Sequence, residues 1–172
     1  MNNEQIAAFL ISCPRPFVVL LVGIPLSGKD TFLKSLLQVD YVEISTDKIL
    51  LQMANTDDYR KAYSNIDSKL IKKEVNRQLI YYSALNNNVI VNMTNLKTKR
   101  RKATLSHFNG DFYKLAIVFP LISRDEFVAR NEKRFKEQNK SISIKLYDEM
   151  LDLFEQVNIM DGFNSILHLD KY

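Results

Sequence analysis

The chain has 172 residues, 46% of them hydrophobic and 26% charged, with a formal net charge of +4, a size and composition that suit a single domain with a full core. Its one cysteine, Cys13, excludes an internal disulfide and points to a reducing, cytoplasmic setting in which it is a small buried side chain. No apolar run approaches the ~20 residues needed to span a bilayer, and the start MNNEQIAAFLIS, with an acidic residue and no basic one, does not read as a signal peptide.

Residues 3 to 12 have the spacing of a short amphipathic helix with Ile6, Phe9 and Leu10 on one face. Pro14 and Pro16 stop it, and it is expected against the edge of a sheet. An uninterrupted apolar run follows, Phe17-Val18-Val19-Leu20-Leu21-Val22, and then GIPLSGKDT from Gly23 to Thr31. Phe32 to Leu37 continues as a helix, which the pattern extends to about Gln38. A buried strand, a glycine-bearing loop and a helix N-terminus form the context of a phosphate-binding loop. Gly23 and Gly28 allow the backbone to curl so that successive N–H groups converge on one anion, and the helix dipole favours negative charge there. Pro25, Ser27, Asp30 and Thr31 complete the loop, and Lys29 is placed to reach the β- and γ-phosphates of a nucleoside triphosphate.

A second strand, Tyr41 to Ser45, leads into a helix that opens at Thr46-Asp47-Lys48 and runs to about Ala54. Asp47 thus stands at the C-terminal end of a strand, where open α/β sheets place ligands. By itself such a residue reads first as a helix cap; after a phosphate loop it is also a candidate catalytic base. Asn55 to Asp58 form a turn, with Asp57 or Asp58 capping a long helix from Tyr59 to about Leu85. Ile66, Leu70, Ile71, Val75, Leu79 and Ile80 recur on its core face. Tyr81 and Tyr82 have the chemistry to stack a base, although half-buried tyrosines at a helix end are the commoner case.

Asn86-Asn87-Asn88 is turn chemistry and releases a third strand, Val89 to Met93, which ends in Thr94-Asn95. Between Lys97 and Lys102 five of six residues are basic, on a helix expected to end near Asn109-Gly110. Such a run suits a solvated face, or a polyanion if it stands above the ligand edge of the sheet. The fourth strand is Tyr113 to Phe119, and Ser123-Arg124-Asp125-Glu126 is a capping box for the next helix. That helix carries Arg130 and Arg134 on one face, amid Lys133, Lys136 and Lys140, and breaks at Asn139 to Ser143. A last helix from Ile144 to about Val157 and a terminal strand from Asn164 to Leu169 close the chain. His107 and His168 have no metal partners at ligand spacing. Alternating strands and helices imply an α/β three-layer sandwich with a parallel sheet. The short interval from the phosphate loop to Asp47 suits the P-loop nucleoside-monophosphate-kinase type, with a helical lid at about 130–143, and from that type the sheet order is expected to be 2-3-1-4-5. The GTPase signatures NKxD and DxxG are absent. Residues 1–172 are read as one P-loop kinase domain.

Four segments and the tail carry a resemblance to the kinase domain of phage-type polynucleotide 5′-hydroxyl kinases, which covers nearly all of Phe17 to Leu169. Gly23-Ile24-Pro25-Leu26-Ser27-Gly28-Lys29 resembles the family's GxPGSGK loop. Ile44-Ser45-Thr46-Asp47 matches the segment that bears its general-base aspartate. Val89 to Leu96 followed by Arg100-Arg101 is similar to its hydrophobic strand, D-T-N-L and R-R stretch. Arg130-Asn131-Glu132-Lys133-Arg134 matches the lid motif RNxxR, and Asp161-Gly162-Phe163-Asn164 is similar to its EGFD ending. The resemblance implies ATP and Mg²⁺ as cofactors, Asp47 as base, and Lys29, Arg130 and Arg134 as cations for the donor phosphates. It implies a nucleic-acid acceptor at Thr94, Asn95, Lys97, Arg100 and Arg101.

Three positions depart from the family pattern. Asp30 replaces a serine and Met93 replaces an aspartate, so a carboxylate is lost from the third strand and gained on the loop. Mg²⁺ takes oxygen ligands and retains several waters, which suggests a swap with Asp30 as the metal residue and Met93 only packing. Leu50 replaces an arginine that grips the acceptor strand. The leading acceptor is a 5′-hydroxyl end of DNA or RNA. Alternatives are a hydroxymethylated base such as hydroxymethyluracil within DNA, a nucleoside or sugar, or a nucleotide-binding module without turnover.

Overall fold

A computed structural model describes residues 1–170. Five strands form one parallel sheet: β1 (Phe17–Val22), β2 (Val42–Ser45), β3 (Val89–Asn92), β4 (Tyr113–Val118) and β5 (Ser165–His168). Their order is β2-β3-β1-β4-β5, the order expected of the nucleoside-monophosphate-kinase type. β1 is central and all six of its side chains are buried, because both faces of a parallel sheet are covered. The two faces separate by strand periodicity. Val18, Leu20 and Val22 join one apolar cluster, while Phe17, Val19 and Leu21 join the other.

Helix α1 (Asn3–Ser12) and helix α2 (Lys29–Ser35) lie on the second face. Ile6 and Leu10 of α1 are fully buried there with Cys13 nearby. The helix packs its Ile6–Leu10 stripe into that cluster, while Met1 just before it bonds the His168 carbonyl of the edge strand β5. The other face is covered by α3 (Thr46–Ala54), α5 (Ser68–Ala84) and α6 (Thr98–Leu105). A third cluster, Ile24, Leu96, Ile122, Phe127 and Tyr147, fixes α7 (Arg124–Gln138) and α8 (Ile144–Asp152) over the C-terminal ends of the central strands.

The long helix expected from Tyr59 to Leu85 is two helices, α4 (Tyr59–Asn65) and α5. Asp58 caps the first and Asp67 the second, each carboxylate accepting backbone N–H groups. Of the six apolar residues expected on its core face, only Val75 and Leu79 are buried; Leu70 and Ile80 are about half exposed. The cap at Asp67 rotates the two segments independently, so the apolar spacing does not run through it. Helices α2, α6 and α8 also end earlier than their sequence patterns, at Ser35, Leu105 and Asp152.

Candidate active site

The loop from Gly23 to Gly28 joins β1 to α2 at the C-terminal edge of the sheet. Gly23 N–H donates to the Thr94 carbonyl at 3.0 Å, tying the loop to the segment that follows β3. A Cβ on Gly23 would stand 2.8 Å from Ser27 Oγ and 2.9 Å from Phe119 Cβ, so no side chain fits. Gly23→Ala is expected to lower stability by about 1–3 kcal/mol through this overlap, read from a urea melt. Gly28, at φ +100, is the left-handed residue from which α2 starts. Leu26 is also left-handed, at φ 66, where the resembling motif has glycine. Such a conformation costs on the order of 1–3 kcal/mol. It is offset by packing of the Leu26 side chain against the Ile24–Phe127 cluster and by Arg130, whose Nη1 donates to the Leu26 carbonyl at 2.7 Å.

Lys29 curls over its own loop, donating from Nζ to the carbonyls of Gly23 at 2.8 Å and Ile24 at 2.6 Å, and to Ser27 Oγ at 3.4 Å. Burial pushes its ammonium down to a pKa of about 8, against the opposing pull of the Asp30 and Asp47 carboxylates. Ser27 is buried, Pro25 is half-buried, and Asp30 and Thr31 are exposed on the first turn of α2.

Asp47 sits in the first turn of α3, but the cap of that helix is Ser45, whose Oγ accepts from Lys48 N–H. The Asp47 carboxylate is thereby free for side-chain partners. Tyr59 of α4 donates its hydroxyl to Oδ1 at 3.4 Å, Lys140 donates an ammonium hydrogen bond to Oδ2, and Arg134 Nη2 lies 4.0 Å from Oδ2. Lys140 also stands 3.6 Å from the centroid of the Tyr59 ring, a cation–π contact. Burial and the neighbouring carboxylate push the Tyr59 phenol up to about 12, so it is a donor at neutral pH. Burial pulls the Lys140 ammonium down, with Asp47 opposing. Arg130 and Arg134, one helical turn apart on α7, reach the phosphate loop and Asp47 respectively.

A second carboxylate pair lies beside the loop. Asn92 Nδ2 at the end of β3 donates to Asp30 Oδ1 and to Glu43 Oε1, both at 3.0 Å. Glu43 Oε2 is 2.6 Å from the Lys48 ammonium, so Asp30, exposed on α2, is the carboxylate of the pair open to Mg²⁺. Among the described residues no three His, Cys, Asp or Glu side chains group around one point, so the remaining ligands would be nucleotide phosphates and water. Met93 turns away and packs against the core, its sulfur 3.9 Å from Arg100 Nη2.

Two residues expected to hold an acceptor turn inward instead. Arg101 is fully buried, with Nε 2.6 Å from Asp161 Oδ2 and its other nitrogens donating to the Asn95, Leu96 and Gln156 carbonyls and to Thr98 Oγ1. Its fork has no donor left for a ligand. Asn95 is 2% exposed, at φ 48, with Nδ2 donating to the Leu21 carbonyl at 2.9 Å. Both therefore brace the turn after β3. Arg100 and Lys97 are exposed on or beside α6, and Thr94 is half-buried. Leu50 is 2% exposed and offers nothing to an acceptor. Lys140, Tyr59, Glu43 and Asn92 were not anticipated as site residues. Only the position of Lys140, just past the Arg130–Arg134 helix, hinted at a role.

A phosphate loop, an acid at the end of the next strand and cations arching over both, on a sheet of this order, define a P-loop kinase-like domain. Residues 18–157 match the family model described as the AAA domain, and the chain belongs to that family. No curated protein sequence matches it. Among solved structures it is similar to one chain of the Pnkp1/Rnl/Hen1 RNA repair complex, at 20% identity and TM-score 0.65, over 83% of this chain and 45% of that one. A second Pnkp1/Rnl/Hen1 structure matches at 23% identity and TM-score 0.54, over 69% and 40%. A chain of the PezAT chromosomal toxin–antitoxin system of Streptococcus pneumoniae matches at 18% identity and TM-score 0.57, over 89% and 73%. The chain thus spans less than half the length of the two repair-complex chains. These likenesses establish the fold, and the fold implies nucleotide binding and supports phosphotransfer. No helix of the described residues is long and apolar enough to cross a membrane.

Proposed function

We propose that the protein is an ATP-dependent kinase that transfers the γ-phosphate to a hydroxyl of a nucleic acid, the 5′-hydroxyl end of DNA or RNA. The observation that carries this reading is the Asp47 carboxylate, released from capping by Ser45 and directed among Lys140, Arg134 and Tyr59 beside the Lys29 loop. Phosphoryl transfer needs alignment and charge neutralisation more than covalent chemistry. Lys29 and the loop N–H groups hold the β- and γ-phosphates. Arg130 and Arg134 neutralise charge from the α7–α8 lid. Asp47 accepts the proton of the acceptor hydroxyl. Asp30 would hold Mg²⁺, which would supply further charge neutralisation to the triphosphate. The exposed cations Lys97, Lys99, Arg100 and Lys102 suit a polyanionic acceptor, and the RNA repair complex among the structural neighbours supports it.

Leu50 favours one second reading. Without a cation there, a hydroxyl on a modified base within DNA, or on a nucleoside, needs no strand grip at that position. The test is transfer of labelled γ-phosphate from ATP to 5′-hydroxyl DNA and RNA oligonucleotides, to duplex DNA containing hydroxymethyluracil, and to free nucleosides. Label on the 5′ end of oligonucleotides is expected. Label confined to the modified duplex or to nucleosides would replace the proposal with that acceptor, and ATP binding without any transfer would end the kinase reading.

The Lys29 ammonium supplies a pH signature. Below pH about 8 it is charged in free protein, so ATP affinity is flat. Above that value ATP must draw a proton back onto Lys29, because the triphosphate raises its pKa. Affinity then falls about tenfold per pH unit until the raised pKa is passed. Calorimetry in buffers of different ionisation enthalpy should show proton uptake above pH about 8 and little below it.

A further inference from the structure

The side of Asp47 away from the phosphate loop is lined by aromatic rings. Tyr59, hydrogen-bonded to Asp47, stacks on Tyr63 one helical turn along α4, with centroids 6.1 Å apart and planes 22° from parallel. Tyr63 is 70% exposed, an unusual setting for so large a ring. Across from α4, Phe135 of α7 is 46% exposed and carries the Arg60 guanidinium 5.5 Å above its ring. Ala62, fully buried, anchors α4, so Tyr63 is presented outward by a fixed helix, while Tyr59 is half-buried between it, Asp47 and Lys140. Lys140, Arg134 and Arg60 bring positive charge to the same cleft. Stacked rings interleaved with cations, running outward from the catalytic carboxylate, are the chemistry that holds unpaired bases and their phosphates.

We propose that Tyr63, backed by Tyr59, and Phe135, with Arg60, form a stacking platform for the end of a single-stranded nucleic-acid acceptor. Its terminal hydroxyl lies at Asp47 and its bases lie against Tyr63 and Phe135. This rests on the kinase reading above and specifies the substrate class of the same site. It also supplies a grip on the strand that Leu50 does not. The rings select for an unpaired end, because a base stacked within a duplex has no free face to offer.

Tyr63→Ala is the variant of choice because an exposed ring on α4 can be removed without a cavity. It is expected to raise KM for a 5′-hydroxyl single-stranded oligonucleotide about tenfold to a hundredfold, with the Kd for ATP unchanged. Tyr63→Phe should restore it, since stacking needs the ring and not the hydroxyl. An oligonucleotide abasic at its 5′-terminal positions should show the same loss with wild-type protein and no further loss with Tyr63→Ala. Oligonucleotide phosphorylation insensitive to Tyr63→Ala, or equally impaired for abasic and intact acceptors, overturns the platform and leaves the kinase reading standing. No transfer to, and no binding of, any oligonucleotide removes both.

Discussion

Asp47→Asn is expected to lower the rate of phosphoryl transfer about 10²–10⁴-fold while ATP binding near neutral pH changes little. The substitution keeps the size of the side chain and an oxygen for the Tyr59 hydroxyl, so α3 and α4 retain their contact. It removes the negative charge and the ability to take a proton. Two secondary effects follow from the surroundings. Lys140 loses its ionic partner and keeps only the face of Tyr59. Lys29 loses one of the two carboxylates that hold its pKa up, so its value falls further below about 8. The ATP comparison therefore belongs well below pH about 8, on the side where protonation of Lys29 is favoured in both proteins. Turnover near the wild-type level, measured under saturating ATP, would remove Asp47 from the base role. Loss of turnover together with ATP binding would show that it only supports the loop electrostatically.

Much of the fold is legible from local pattern. The run Phe17 to Val22 must be a doubly covered strand because no polar residue interrupts it, and the loop after it is a contiguous motif. The parallel pairing follows from the alternation of strands and helices, since parallel neighbours need crossovers, while the order follows only from the kinase type that the loop and Asp47 suggest. Asp47 is legible for the same reason: strand, acid and helix are adjacent in sequence. What surrounds Asp47 is not. Lys140 is 93 residues away, and no local pattern distinguishes it from the other lysines near the end of α7. Glu43 and Asn92 meet only because β2 and β3 are sheet neighbours in a particular register, Ser45 beside Asn92. The break between α4 and α5 was marked by Asp67-Ser68, a cap-like pair, but the apolar spacing on either side concealed it. Charge misled most at Arg101. A basic run reads as a solvated face, and here one of its members is the largest fully buried side chain in the protein.

Arg101→Met should destabilise the fold by about 3–5 kcal/mol, the cost of leaving a buried carboxylate without its partner. Asp161 is 6% exposed, and its other contact is a 3.4 Å approach from the Asn158 N–H, so water cannot compensate it. The guanidinium also satisfies the Asn95 and Leu96 carbonyls from Nη1, at 3.1 and 2.7 Å, and the Gln156 carbonyl from Nη2 at 3.0 Å. Arg101→Lys is expected to recover little, because one ammonium cannot reproduce a planar fork that bridges a carboxylate and three carbonyls. Pairing Arg101→Met with Asp161→Leu removes both charges and should cost less than the sum of the two changes, although the three carbonyls stay unpaired, a coupling that denaturant melts of the four proteins would measure. The loss also reaches the site. The turn from Thr94 to Leu96 is what Arg101 braces, and Thr94 accepts from Gly23 of the phosphate loop. At temperatures where Arg101→Met is still folded, ATP affinity should therefore weaken although the residue touches no ligand. If Arg101 instead contacted an acceptor, stability would hold, ATP binding would be untouched, and only KM for the acceptor would rise.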